Sequence, residues 1–560
     1  MFRHGIAALC AAVCAVAFAG EPADVIYSGG DIVTVAPAGN VEALAVKGAT
    51  ILAVGPREQL LREHRGSATK LVDLHGRTLL PGFVDAHSHF NIALQVVGWA
   101  NVSPPPAGVV TDIPGLVAAL QAHAKKIGLR KGDWLIAWGY DPTVLREQRD
   151  LTRGDLDGAF PDNPVLVTHV SGHGAVLNSA AFAKIGVDEQ TPTPEGGVIV
   201  REPGSNRPAG TLMENALALV YPKLPQQSEV DKLAAFKAAQ LQYASNGYTT
   251  MQEGATGYRD YTLLRKAAEQ QRLFLDLVSL PVFSDLAQYK DVDLVGGEYR
   301  DRLKIGGVKI FADGSPQGRT AYWTKPLLTG GPNGEKDWRG APMLPYTQFE
   351  PLVKSLVARN VRLYCHANGD AGIDMFIDAL AAAGVLAVQD RRDVVIHSQF
   401  VRPDQLDRFV ALGMTPSYFV SHTFFWGDVH VKNTGEERAF FISPLAATKA
   451  KGLHFSLHTD YNVTPLDPML VLWSAVTRQS RSGRIIGPDQ RVDAATALKA
   501  ITLDAAWQYR EEKSKGSLEP GKLADLVIVS ANPLKVAPDA IRQIKVIETI
   551  KEGRSVFAAQ

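Results

Sequence analysis

The hydrophobic and polar positions change rhythm twice along the chain. Short apolar runs rich in β-branched residues come first: Ala23-Asp24-Val25-Ile26-Tyr27 and Asp31-Ile32-Val33-Thr34-Val35, separated by Gly29-Gly30, then Ala43 to Val46, Thr50 to Val54 and Lys70 to Asp73. Short strands with turn punctuation predict a small antiparallel sheet. The same texture returns in Leu526-Val527-Ile528-Val529 and Ile544 to Ile550, with turns at Glu519-Pro520-Gly521 and Glu552-Gly553-Arg554. Neither end alone has enough strands to bury a core. The pattern therefore predicts one β-sandwich domain built from residues 20–80 and 515–560.

Between these ends, strand-like and helical patterns alternate. Candidate strands are Leu79 to Ala86, Val165 to His169, Tyr248 to Gln252, Phe274 to Leu280, Gly307 to Phe311, Val361 to Cys365, Val394 to Ile396, Thr415 to Phe419 and His454 to Leu457. Helical periodicity appears in Glu229 to Ala244, Tyr261 to Gln271, Thr347 to Arg359, Gly372 to Ala383 and Pro403 to Leu412. This alternation predicts parallel strands with helical crossovers, and a closed barrel and an open sheet fit it equally. An insertion at about 100–245 interrupts residues 81–514, and 312–345 form a second long loop of the kind often used as a lid.

Composition narrows the picture. The 560 residues suit a large α/β domain plus a smaller one, and 58 basic residues balance 58 acidic ones. Without a run of like charge, nucleic acid is not an expected partner. Residues 1–19 read as a secretory signal: Arg3 and His4, an apolar core, then Ala17-Phe18-Ala19. The apolar stretch is shorter than the roughly 20 residues a bilayer span needs, so no membrane anchor is expected after cleavage. Cys10 and Cys14 lie inside that signal, leaving Cys365 as the one mature thiol and no internal disulfide.

Candidate chemistry sits at strand ends. Leu80-Pro81-Gly82-Phe83-Val84-Asp85-Ala86 runs into His87-Ser88-His89, and side chains two apart on a strand share a face, so both imidazoles can hold one metal. His366, His397 and Asp460 each close an apolar strand, where barrel enzymes place function. A carboxylate among imidazoles can ligate a metal or take a proton. Lys309 stands inside Gly307-Val308-Lys309-Ile310-Phe311, where burial is costly unless the charge is paired or altered. Weaker candidates are His173, as a substrate-orienting group, and His422 beside Phe424-Phe425-Trp426, as part of an aromatic pocket. Glu214, Glu253 and Asp313 are carboxylates near predicted strand or helix ends, where solvated or capping roles are the default expectation.

The order His87-Ser88-His89, Lys309, His366, His397, Asp460 resembles the amidohydrolase superfamily, and the flanking residues look like its YtcJ-like branch, related to N-substituted formamide deformylase. Supporting strings are Pro81-Gly82-Phe83-Val84-Asp85-Ala86-His87, Val308-Lys309-Ile310-Phe311-Ala312-Asp313-Gly314-Ser315, His366-Ala367-Asn368-Gly369-Asp370 and Gly516-Ser517-Leu518-Glu519-Pro520-Gly521-Lys522-Leu523-Ala524-Asp525-Leu526.

The resemblance implies an α/β fold, a (β/α)8 TIM-type barrel with a terminal β-sandwich, and one or two divalent ions, usually zinc. It implies that His87 and His89 bind the buried ion, that a carboxylated Lys309 bridges to a second held by His366 and His397, and that Asp460 is both ligand and catalytic base. The implied reaction is hydrolysis of a C–N bond in a small-molecule amide, N-formyl or cyclic amide through metal-bound hydroxide. A lactone, ester or phosphoester hydrolase, or a non-catalytic ligand-binding barrel, is the alternative. Export implies a periplasmic location, and a homo-oligomer is left open. One departure stands out: His458-Thr459 precede Asp460 where the branch often has Ser.

Overall fold

The computed structural model describes residues 20–559 apart from 97, 226 and 227, so the signal expected at 1–19 lies outside it. Both ends of the chain meet in one eight-stranded sheet. Its order is Arg554–Ala558, Val546–Lys551, Leu526–Val529, Thr78–Pro81, Val25–Val33, Asn40–Lys47 and Thr50–Gly55, with Lys70–Asp73 also paired to Val25–Val33. The seam between the ends is antiparallel, with Leu526 opposite Pro81 and Val529 opposite Thr78. Strand alternation gives this seam two buried faces. Leu79, Leu526 and Ile528 enter a local core with Tyr27, Leu44 and Ile550, while Leu80, Val527 and Val529 point into the main core.

Two expectations fail here for identifiable reasons. The sheet is mixed, because Val25–Val33 pairs in parallel with Lys70–Asp73 and Thr78–Pro81 after a crossover through the helix Arg57–His64. Gly29-Gly30 is also no boundary between strands, since it lies inside the single strand Val25–Val33. Gly29 has φ +78°, and a Cβ there would fall 2.2 Å from the Asp73 carboxylate. The pair makes an irregularity in the strand, where the register shifts between Ser28 and Ile32.

The middle of the chain forms two all-parallel sheets. One runs Leu303–Ile305, Asp276–Pro281, Tyr248–Thr256, Phe83–Val84; the other Val308–Phe311, Leu363–Ala367, Val394–His397, Thr415–Tyr418, Ser456–Leu457. Contacts join them at both margins: a parallel bridge of Val282 to Lys309, and backbone hydrogen bonds donated by the Asp460 N–H to the His87 carbonyl (3.1 Å) and by the His89 N–H to the Tyr461 carbonyl (2.8 Å). The crossover helix Tyr346–Ala358 buries one stripe, with Phe349, Val353 and Leu356 facing inward at helical spacing.

A further sheet carries much of the predicted insertion. Its order is Gly197–Arg201, Pro208–Glu214, Gly174–Leu177, Val165–His169, Leu135–Tyr140, Ala100–Asn101, with apolar clusters of its own. Val165–His169 is thus a strand of this sheet and not of the parallel series. The helix Glu229–Ala244 packs Leu233, Phe236 and Tyr243 into the main core instead. Residues 312–345 hold no helix or strand, yet Ala321, Trp323 and Leu327 anchor them against Phe400, Ile442 and Ile486. Among the described residues, no helix is long and apolar enough to cross a membrane.

Candidate metal centre

The parallel strands bring His87, Lys309, His366, His397 and Asp460 together at their C-terminal ends, with His89 completing the group. His89 Nε2 lies 3.3 Å and His87 Nε2 3.5 Å from Asp460 Oδ1, and His397 Nε2 is 3.9 Å from Oδ2. Lys309 Nζ is 3.3 Å from His87 Nε2. The His366 and His397 rings are 4.6 Å apart, and His87 and His397 5.4 Å apart. The backbone is strained at this end: His397 (φ +70°), Ser398 (+47°) and Asp460 (+51°) occupy the left-handed region. Such conformations cost about 1–3 kcal/mol each and persist where surrounding contacts impose them. Here the amides of Ser398 and Asp460 are held by the Ala367 and His87 carbonyls.

The electrostatics suit a cation. Burial pushes the His87, His366 and His397 imidazoles well below their ordinary pKa, and the positive charge of Lys309 pushes in the same direction. They are therefore neutral, with lone pairs to offer. Burial lowers Lys309 to about 8. Burial pushes Asp460 up, but the His89 hydrogen bond and neighbouring positive charge outweigh it and keep the carboxyl below its usual range.

The donor set fits a metal ion. Ligating atoms of His87, His89 and Asp460 lie within 4.8 Å of one another. With bonds of about 2.0–2.1 Å, tetrahedral ligands stand about 3.3 Å apart, close to the two shortest separations here. His397 Nδ1 and His366 Nδ1 are buried without hydrogen-bond partners.

Several groups orient this cage. Gln252 Oε1 meets His87 Nδ1 at 2.6 Å. Asp313, which burial raises to about 7, accepts backbone amides of Tyr322, Asn368 and Gly369 at 2.7–3.0 Å and lies 3.3 Å from His366 Nδ1. Glu253 receives the Asn91 amide at 2.5 Å and lies 4.0 Å from His89 Nδ1. His173 reaches in from the inserted sheet, its ring 5.1 Å from His366 and its Nδ1 2.8 Å from Glu214 Oε2. Burial lowers the His173 pKa, but Glu214 outweighs that and raises it. Glu214 also bonds Thr320.

His422 stands farther back. Its Nδ1 bonds His430 Nε2 at 2.9 Å and its ring packs on Phe419 and Trp426. Phe419 lies between it and His458, a residue that sequence reasoning noted only as a departure. The His458 ring is buried 5.2 Å from His87 and 5.1 Å from His397. Its nitrogens make no hydrogen bond beyond a marginal approach to the Ser417 backbone, and burial lowers its pKa to about 3. It lies just past the strand Ser456–Leu457, and its position two residues before Asp460 was the signal that could have marked it as a neighbour of the site.

This fold and cage define an enzyme class, and the comparisons name it. The model of the amidohydrolase family matches residues 70–557, so the chain belongs to that family. It is 27% identical to N-substituted formamide deformylase of Arthrobacter pascens, over 91% of this chain and 94% of that protein. It is 26% identical to the putative amidohydrolase YtcJ of Bacillus subtilis, over 95% and 99%. An uncharacterized metal-dependent hydrolase from Pyrococcus furiosus shares the fold, with TM-score 0.70 and 24% identity over 91% of this chain and 100% of that one.

Proposed function

We propose that the protein is an exported, metal-dependent amidohydrolase that cleaves a C–N bond in a small-molecule amide, N-formyl amide or cyclic amide. The two parallel sheets are then the arcs of one closed (β/α)8 barrel, joined at the margins described above, and the terminal sheet forms its sandwich domain. The observation that carries the reading is the convergence of His87, His89 and Asp460 on one point, with Lys309, His366 and His397 around it.

A divalent cation, zinc by its nitrogen and oxygen donors, would polarise a carbonyl and lower the pKa of water from about 15.7 toward about 7. His87 and His89 would hold it. His366 and His397 would hold a second ion, with a carboxylated Lys309 available to both, and carboxylation would also remove the charge that burial disfavours. Asp460 accepts the proton of the attacking water and returns it to the leaving nitrogen, so one carboxylate serves as base and then acid. His173, oriented by Glu214, faces the substrate carbonyl and positions it. His422 shapes the wall from behind Phe419.

The name of the Arthrobacter relative points to N-formyl amines as first substrates. Metal analysis of the purified protein, followed by assay on N-formyl and N-acyl amines, cyclic amides, lactones and esters, tests the reading. Turnover of the amides that disappears with chelation and returns with zinc is expected. Turnover confined to lactones or esters would overturn the bond assignment, and a protein without bound metal would overturn the whole.

A further inference from the structure

Beside the cage lies a cavity of about 430 Å3 whose walls continue the segments that carry His89, His173 and Asp460. Ile92 and Gln95 follow His89 on the helix Phe90–Val96, Thr168, His169, Val170 and Gly172 lead into His173, and Asn462 stands two residues beyond Asp460. Its surface is mainly apolar, with Trp99, Ile136, Trp138 and Tyr221 prominent. Such a cavity takes a hydrophobic or aromatic substituent, with a few polar groups setting its orientation.

Charge distinguishes this cavity. No Asp or Glu is among its described lining residues, and its one lysine is Lys232, on the helix Glu229–Ala244. Lys232 is half-buried and has no described carboxylate within ion-pair distance. Asp260 feels its charge without reaching it. A cation over apolar walls, with no described carboxylate in direct contact and Asp260 acting only from a distance, attracts a ligand anion through poorly screened contact.

We propose that the cavity is a substrate subsite for an apolar, preferably aromatic, substituent ending in a carboxylate, and that Lys232 reads that carboxylate. The substrate class is thus an anionic amide. This deepens the hydrolase reading and rests on it for where the scissile bond lies. Lys232 touches substrate at a distance from the reacting atoms, so it sets specificity without taking part in proton transfer.

Two measurements on the metal-loaded protein keep the two readings apart. The first is direct binding of hydrocinnamate and hydrocinnamyl alcohol, followed by calorimetry. Hydrocinnamate is expected to bind about tenfold or more tightly, as for a hydrogen bond to a charged group. Lys232→Gln is expected to erase that preference and leave alcohol binding unchanged, while Trp138→Ala weakens both. Equal affinities in the wild type, no binding of either probe, or a preference that survives Lys232→Gln would overturn the subsite; in the last case the carboxylate is held elsewhere, the cation centre included. The second measurement is hydrolysis of N-benzylformamide and its para-carboxylate. A higher kcat/KM for the carboxylate that is lost in Lys232→Gln supports the subsite, and equal values insensitive to that change overturn it. Hydrolysis of neither, with the Lys232-dependent binding intact, sinks the amide assignment and leaves the subsite supported.

Discussion

Gln252 Oε1 sits 2.6 Å from Nδ1 of His87, and this contact decides which nitrogen of the imidazole faces the cage. The Gln252 amide nitrogen donates to the Ala86 carbonyl at 2.9 Å and also contacts the Tyr509 hydroxyl, so its oxygen is left as acceptor. His87 therefore carries its proton on Nδ1 and turns an unprotonated Nε2 toward Lys309 and Asp460. An outer hydrogen bond of this kind fixes tautomer and ring plane together.

Gln252→Leu should weaken metal affinity by about 10–100-fold, the usual effect of losing an orienting partner. Competition with a chromophoric chelator measures it. Unchanged affinity would show that packing alone holds the ring.

Asp460→Asn keeps the shape of the side chain and removes its basicity. Turnover should fall by about 10²–10⁴-fold, while circular dichroism and thermal melting still report a folded protein. Near-normal turnover would remove Asp460 from the proton path.

Lys309 is buried against His87 and Asp460. Intact mass measured in bicarbonate should show the addition of one CO2 to the wild type and none to Lys309→Met. Metal content should fall in the variant. An unmodified Lys309 with full metal content would dismiss the bridge.

Lys551 ties the terminal sheet to the parallel strands through Asp276 (2.6 Å) and also pairs with Asp525 (2.8 Å) of its own sheet, and Lys515 shares Asp276 at 2.7 Å. Lys551→Met leaves the buried Asp525 without its cation, while Asp276 keeps Lys515 and Arg302, and should cost about 3 kcal/mol in denaturant unfolding. Burial pushes Asp276 up, but Lys515 and Lys551 outweigh it and hold it far below the ordinary range. With its folded pKa depressed, Asp276 contributes stability above its unfolded pKa of about 3.9. That contribution is lost as pH falls below this value toward the folded pKa. The variant should therefore unfold at a higher pH on acid titration than the wild type. Coincident acid transitions would show that the cluster adds nothing.

What the sequence made legible was what repeats locally. Apolar runs ending in His366, His397 and Asp460, and the two-residue spacing of His87 and His89, mark those residues locally as candidates, while their grouping into one ligand set is what the family resemblance implies. The partners that orient the set carry no such mark. Gln252 meets His87 across 165 positions, and Glu214 meets His173 across 41, with no pattern in between. Val165–His169 looks like any buried strand, and nothing in its five residues says which sheet it joins. Gly29-Gly30 reads as punctuation because glycine serves turns and irregular strands equally.

The seam between Thr78–Pro81 and Leu526–Val529 has a temporal side. Those strands leave the ribosome some 450 residues apart, so the nascent chain must carry an unpaired, apolar β-edge until almost the last of it has been made. Closure of such a long loop is slow. A premature stop after the last parallel strand, Ser456–Leu457, would thus release a chain with a sticky edge, whose expected fate is aggregation.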